Sequence, residues 1–141
     1  TDDLTNMDRF NLLTAFIFNE MIESFPTRVA YSHEEMVRIA FPELDLDDPI
    51  LSEQFVLVEH ALTFLEREDF IYGSISNNVK GAQLTAKTLA VLDATPKGLS
   101  EPLKKRLTRE VAQGARAAVV GETVGLFIRG AAGGLFGQVT D

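Results

Sequence analysis

Apolar positions recur at three- and four-residue steps between Asp8 and Phe25. Phe10, Leu13, Ile17 and Met21 form one row, and Phe16, Phe18 and Ile22 widen it. This period predicts a long amphipathic helix, which Pro26 stops. A face so wide needs cover from more than one neighbour, either a C-terminal helix or a second subunit. Arg28-Val29-Ala30-Tyr31 reads as short and extended. Ser32 followed by Glu35 is the capping pattern in which the hydroxyl takes the Glu35 amide and the carboxylate reaches back to the Ser32 amide. A second helix therefore runs to about Phe41, and Pro42 ends it. After the acidic stretch from Glu43 to Pro49, a third helix opens at Asp48-Pro49 or Ser52 and runs to about Glu68. Leu57, Val58, Ala61, Leu62, Phe64 and Leu65 form its apolar face.

Beyond that helix the pattern changes to strand formers, Phe70 to Ile75, followed by the turn-prone Ser76-Asn77-Asn78 and Lys80-Gly81. Gln83-Leu84 is expected to return as the second strand of a hairpin. Thr85 then caps a short fourth helix carrying Leu89 and Leu92, and Pro96 with Gly98 marks a boundary. Two units follow from this reading: a domain over 1–96 and a Gly/Ala-rich helical tail over 97–141.

The order helix, short strand, helix, helix, hairpin, helix is that of a winged helix-turn-helix. The expected fold class is mainly α with a small β-hairpin, plus the C-terminal helical tail. Ala61-Leu62-Thr63-Phe64-Leu65-Glu66-Arg67-Glu68-Asp69-Phe70-Ile71 resembles the end of the third helix and first wing strand of PadR-like and MarR-like regulators. Leu84-Thr85-Ala86-Lys87-Thr88-Leu89-Ala90-Val91-Leu92 resembles their segment after the wing. Asp69 stands where those proteins usually turn the chain with glycine, and Thr88 replaces another glycine. The resemblance covers about residues 8–94 and implies a fold that serves many roles.

In DNA-binding proteins of that fold the third helix enters the major groove while Lys and Arg hold phosphates. Here the row opposite the apolar face is Ser52, Val56, Glu59, Thr63 and Glu66, with two carboxylates and no cation. The wing, at Asn77, Asn78 and Lys80, offers one positive charge. Carboxylates near phosphate repel it, and the counterion release that drives duplex binding needs basic groups. The expected partner of this face is therefore protein, with DNA as the alternative.

The tail carries the least ordinary pattern. Ser100-Glu101-Pro102 fits a helix start with Pro102 in the first turn, and Leu103, Leu107, Val111 and Ala115 follow on one face. Gly114, Ala118, Gly121 and Gly125 then recur at steps of four, three and four, beside a ridge of Val120, Val124, Phe127 or Ile128, Ala131 and Leu135. Small residues at this spacing let helix backbones approach closely. Each glycine inside a helix costs roughly 1 kcal/mol relative to alanine, so the pattern calls for offsetting contacts. Self-association, a protein interface or contact with a membrane would supply them. A simple span is disfavoured, because Glu122 and Arg129 fall within the candidate stretch.

Charge adds an asymmetry. Residues 1–70 hold 16 acidic and 4 basic side chains, whereas residues 71–141 hold 5 acidic and 9 basic. The acidic front half repels phosphate, and the basic back half suits an acidic partner or the front half itself. Cysteine is absent, which removes disulfides and thiolate chemistry and accords with a reducing compartment. With no signal-like run at Thr1-Asp2-Asp3-Leu4, the expected location is cytoplasmic. His33 and His60 lack ligand partners at a metal-binding spacing, and Asp45, Asp47 and Asp48 lack the glycine and glutamate of a calcium loop. Neither an enzymatic activity, a metal nor a cofactor is expected.

Overall fold

The computed structural model describes residues 4–43, 51–74 and 78–133; the side chains of 51–53, 74 and 78–80 lie outside that description. Six helices and three strands follow in the order α1 (Asn6–Ser24), β1 (Val29–Ser32), α2 (His33–Ala40), α3 (Leu51–Arg67), β2 (Ile71–Ser74), β3 (Asn78–Leu84), α4 (Ala86–Asp93), α5 (Leu103–Ala112) and α6 (Ala117–Ala132). The fold is mainly helical with one small antiparallel sheet.

Local chemistry explains most boundaries. Both α1 and α2 begin in capping boxes, Thr5 with Asp8 and Ser32 with Glu35. The second is the one expected; the first moves the start of α1 two residues ahead of Asp8. Thr85 caps α4 by accepting from the Thr88 amide. Pro102 is the N-cap of α5 and not its first-turn residue, since its ψ of 152° is extended.

The sheet differs from a two-stranded hairpin. β3 lies between β1 and β2, with Tyr31 opposite Val79 on one side and Ile71 opposite Leu84 on the other. The returning strand starts at Asn78, five residues earlier than Gln83. β2 pairs only from Gly81 onward, and it is β1 that pairs the stretch from Asn78, which outweighs the poor strand propensity of Asn and Gly. Asn78 and Lys80, expected in the turn, are therefore strand residues, while Asn77 lies outside the described residues.

Where α3 meets the sheet, three side chains from the start of α4 take up the orphan carbonyls of the helix end. The Lys87 ammonium donates to the Glu68 carbonyl at 2.9 Å, the Thr85 hydroxyl to that of Asp69 at 2.7 Å, and the buried Thr88 hydroxyl to that of Phe70 at 2.7 Å. The helix itself closes with a Schellman motif: the Asp69 amide reaches the Glu66 carbonyl and the Phe70 amide that of Leu65. Asp69 has φ +67°, so the chain turns left-handed there without a glycine. Thr88 in place of the second glycine contributes a hydroxyl to the junction.

One hydrophobic cluster runs from α1 to α6, across the 96/97 boundary. α5 and α6 both pack on α1, so the wide apolar stripe of the first helix is covered by the C-terminal helices of the same chain. Phe127 is buried between Phe18, at a ring separation of 4.8 Å, and Phe70, at 5.0 Å. Edge contacts continue from Phe70 to Phe64 and from Phe64 to Phe10. Among the described residues no helix is long and apolar enough to cross a membrane.

Replacing Thr88 by Val keeps the shape but removes the donor to Phe70. Urea unfolding is expected to show a loss of about 0.5–1.5 kcal/mol, the net worth of one hydrogen bond, since the Phe70 carbonyl keeps the Thr85 amide at 3.3 Å.

A second expectation concerns acid. Arg9 forms a two-pronged pair with Glu43, its nitrogens 2.7 and 3.2 Å from the carboxylate oxygens, and also donates to the Ala40 carbonyl. The guanidinium hydrogen bonds hold the Glu43 carboxyl below its ordinary range. A folded pKa below the unfolded one gives stability that is complete above about pH 4.3 and lost as pH falls through the lower folded value. Arg9→Gln should remove this part of the acid dependence in urea midpoints below about pH 6. The effect should stay under about 1 kcal/mol because Glu43 is half-exposed.

Candidate interaction surface

The outward row of α3 is built as a helix of this period requires. Val58, Leu62 and Leu65 are buried, while Val56, Glu59, Thr63 and Glu66 are exposed on the opposite side. Ser52 lies in α3, but its side chain is outside the described set. Neither Glu59 nor Glu66 has an ion-pair partner among the described residues. The nearby cation Arg67 lies 4.0 Å from Glu68 and stacks over the Phe64 ring. The face is thus negative and open to solvent.

Beside it runs a groove of about 910 Å³ that the sequence pattern did not reveal. Its floor is the first turns of α1, with Met7 and Phe10. One wall is α3, with Val56, Leu57, His60 and Phe64; the other is α6, with Gly121, Gly125, Ile128 and Arg129. Met7 is 64% exposed and Val56 52%, among the few large apolar side chains left in solvent. The signal in the sequence was faint: Met7 precedes the expected helix, and Phe10 and Phe64 read as ordinary core positions.

The glycine-spaced tail is not one continuous helix. α5 ends at Ala112 in a second Schellman motif, with the Gly114 amide on the Val111 carbonyl and the Ala115 amide on that of Glu110. Gly114 has φ +113° and Ala115 φ +40°, so the chain turns there and α6 starts afresh at Ala117. Gly114 therefore belongs to a turn and Ala118 is exposed near the start of α6; only Gly121 and Gly125 share a packing face. The apolar ridge resolves into two parts: Val120, Val124 and Phe127 are buried, and Ile128 looks into the groove.

The basic residues of α5 are largely used within the back half. Lys104 pairs with Asp93 at 2.7 Å, and both Arg109 guanidinium nitrogens with Glu101. Arg106 bridges Glu110 at 3.0 Å and Glu122 at 2.8 Å, and the Thr123 hydroxyl donates to the buried Glu110 at 2.7 Å. These carboxylates raise the pKa of Arg106 further, chiefly through the hydrogen bond to Glu110. The α5–α6 pair is thus held by a polar lock, and its positive charge is mostly neutralised.

Of the histidines, His33 is buried at the start of α2 and His60 is exposed on the groove wall. Among the described residues no group of three His, Asp or Glu side chains is arranged to hold a metal ion. The acidic loop with Asp45, Asp47 and Asp48 lies outside the described residues.

Gly114→Ala is expected to destabilise the protein by about 1 kcal/mol or more. No described residue lies within 4 Å of the added methyl, so the cost comes from the left-handed backbone and not from crowding. Thermal and urea unfolding would measure it.

Comparison with protein-family models, with curated protein sequences and with solved structures returns no match for this chain.

Proposed function

We propose that the chain is a non-enzymatic domain of winged-helix type that binds a protein partner through the exposed face of α3. Its element order and the β1-β3-β2 sheet support the winged-helix reading. So do the left-handed Asp69 and the grip of the 85–88 segment on the end of α3, both at the positions that carry the resemblance. One observation carries the functional choice: Glu59 and Glu66 stand exposed and without cationic partners among the described residues, on the face that would meet a nucleic acid.

Two carboxylates facing a phosphate backbone add repulsion, and the nearest cation among the described residues, Arg67, is shared with Glu68 and the Phe64 ring. A protein surface with lysines or arginines is the complementary partner. Self-association is a weaker form of the same reading, since the stripe of α1 is covered from within the chain. Membrane attachment through the tail finds less support still. The apolar side of α6, at Val120, Val124 and Phe127, is buried in the core.

Labelled duplex DNA titrated at low ionic strength separates the protein and DNA readings. The wild-type chain should not bind, whereas Glu59→Lys with Glu66→Lys should acquire weak, salt-sensitive binding through the same face. A photo-crosslinking residue at position 63 should yield protein adducts in cells that the double variant loses. Salt-dependent duplex binding by the wild type, or adducts containing nucleic acid, would overturn the proposal.

A further inference from the structure

The groove between α1, α3 and α6 carries a cation and no counter-charge. Among the described residues that line it, Arg129 is the only Lys, Arg, Asp or Glu side chain. Its guanidinium lies back along α6 over Gly125: a Cβ at that glycine would stand 3.4 Å from one terminal nitrogen and 4.0 Å from the central carbon. One helical turn earlier, the Asn11 carboxamide of α1 lies over Gly121, its nitrogen 3.3 Å from where a Cβ would be. The two glycines thus leave room on one wall for two sets of hydrogen-bond donors. Among the described residues neither the Arg129 nor the Asn11 side chain makes a hydrogen bond or an ion pair. Arg9, Arg38, Arg106 and Arg109, by contrast, each hold a carboxylate.

Most of the remaining surface is hydrocarbon. Met7 and Phe10 form the floor, Leu57 and Phe64 belong to the α3 wall and Ile128 to the α6 wall. The Phe10 and Phe64 rings meet edge to face at 5.6 Å, which fixes floor and wall against each other. A volume of about 910 Å³ falls in the range of small-molecule sites, roughly 300–1,000 Å³, whose usual make-up is an apolar lining with a few placed donors. A cation without a partner attracts an anion, and an apolar body on that anion gains by leaving water. An extended peptide fits less well, because its amides would need partners along a surface where Phe10, Phe64 and Ile128 offer none.

We propose that this groove binds an apolar monocarboxylate, a hydrocarbon body ending in one carboxylate. The carboxylate rests on Arg129 and Asn11, and the hydrocarbon lies on Phe10, Phe64 and Ile128. The site is distinct from the outward row of α3, since Glu59 and Glu66 do not line it. It therefore stands or falls independently of the protein-binding reading.

Decanoate, titrated into the full chain below its micelle-forming concentration, is the probe. Calorimetry should give a saturable one-to-one isotherm, and the methyl signals of Met7, Leu57 and Ile128 should shift in carbon–proton NMR spectra. From hexanoate through octanoate to decanoate, affinity should rise about two- to fourfold per added methylene, as partial to full burial of each requires. Decanol and decylammonium should bind about fivefold more weakly or worse. Arg129→Gln should lower decanoate affinity about five- to tenfold, the loss of one charge-assisted contact in a partly exposed setting, and leave decanol binding unchanged. Gly125→Leu should weaken decanoate binding in the same way by taking the guanidinium's seat. Its Tm should hold or rise, because leucine is a better helix former than glycine.

Equal affinity for decanoate and decanol, undiminished binding by Arg129→Gln, or shifts centred away from α1, α3 and α6 would overturn the proposal. So would the absence of saturation below the micelle-forming concentration. Tighter binding of a short peptide with an apolar C-terminal residue would overturn it too, and would assign the groove to the end of a protein chain.

Discussion

The position of Phe127 organises the molecule. Its ring, nearly inaccessible to solvent, contacts Phe18 of α1 and Phe70 at the junction of α3 with the sheet, so one side chain joins three parts of the chain. Burying a phenylalanine is worth about 1.5–3 kcal/mol, and edge-to-face contacts add to it. Loss of this wedge would leave a cavity at the centre of the hydrophobic cluster and release α6 from α1. The row of rings continues through Phe64 to Phe10, which forms part of the groove floor. The core and the open surface therefore share a single line of packed rings, and the groove's shape depends on how α6 is seated.

Much of this was legible where chemistry is local. Helix starts could be read at Ser32 and Thr85 because a hydroxyl and an amide three residues apart define them, and the helix ends at Pro26 and Pro42 because proline lacks a donor. The solvent-facing row of α3 followed from its period alone. Pairing at a distance was hidden: nothing near Asn78 announces that β1 will add a second partner to β3 and extend the strand into a stretch that reads as a turn. The groove was hidden for the same reason, since its walls come from residues 54–64 and 121–129 and its floor from 6–11. Each lining residue taken alone looks like core or surface.

Charge was legible in amount but not in use. The excess of bases after residue 70 suggested a surface that meets acids from elsewhere. In the folded chain Glu101, Glu110, Glu122 and Asp93 neutralise most of the α5 cations, and these carboxylates are spread over a range of sequence that no window would combine. The front half has fewer internal solutions. Arg9 is taken by Glu43 and Arg38 by Glu34, which leaves the α3 carboxylates facing solvent. The negative face is thus what remains after the available cations have found nearer partners.

The glycines of the C-terminal segment show how one spacing can serve two physical ends. A helix running unbroken from Leu103 to Ala132 would be about 45 Å long, well beyond the 19 residues of α1 against which it must pack. The turn at Gly114 and Ala115 divides it into two antiparallel-length pieces, and the Arg106 bridge to Glu110 and Glu122 fixes their junction. Only with that break does Phe127 come back to the core. Gly121 and Gly125, after the turn, have normal helical angles and line the groove, Gly125 near only Arg129 among the described residues and Gly121 beside Asn11 of α1. A periodic stripe in sequence therefore separates into a backbone requirement on one side of the turn and an accessible wall on the other. The backbone angle at Gly114 and the open contacts at Gly125 tell the two apart.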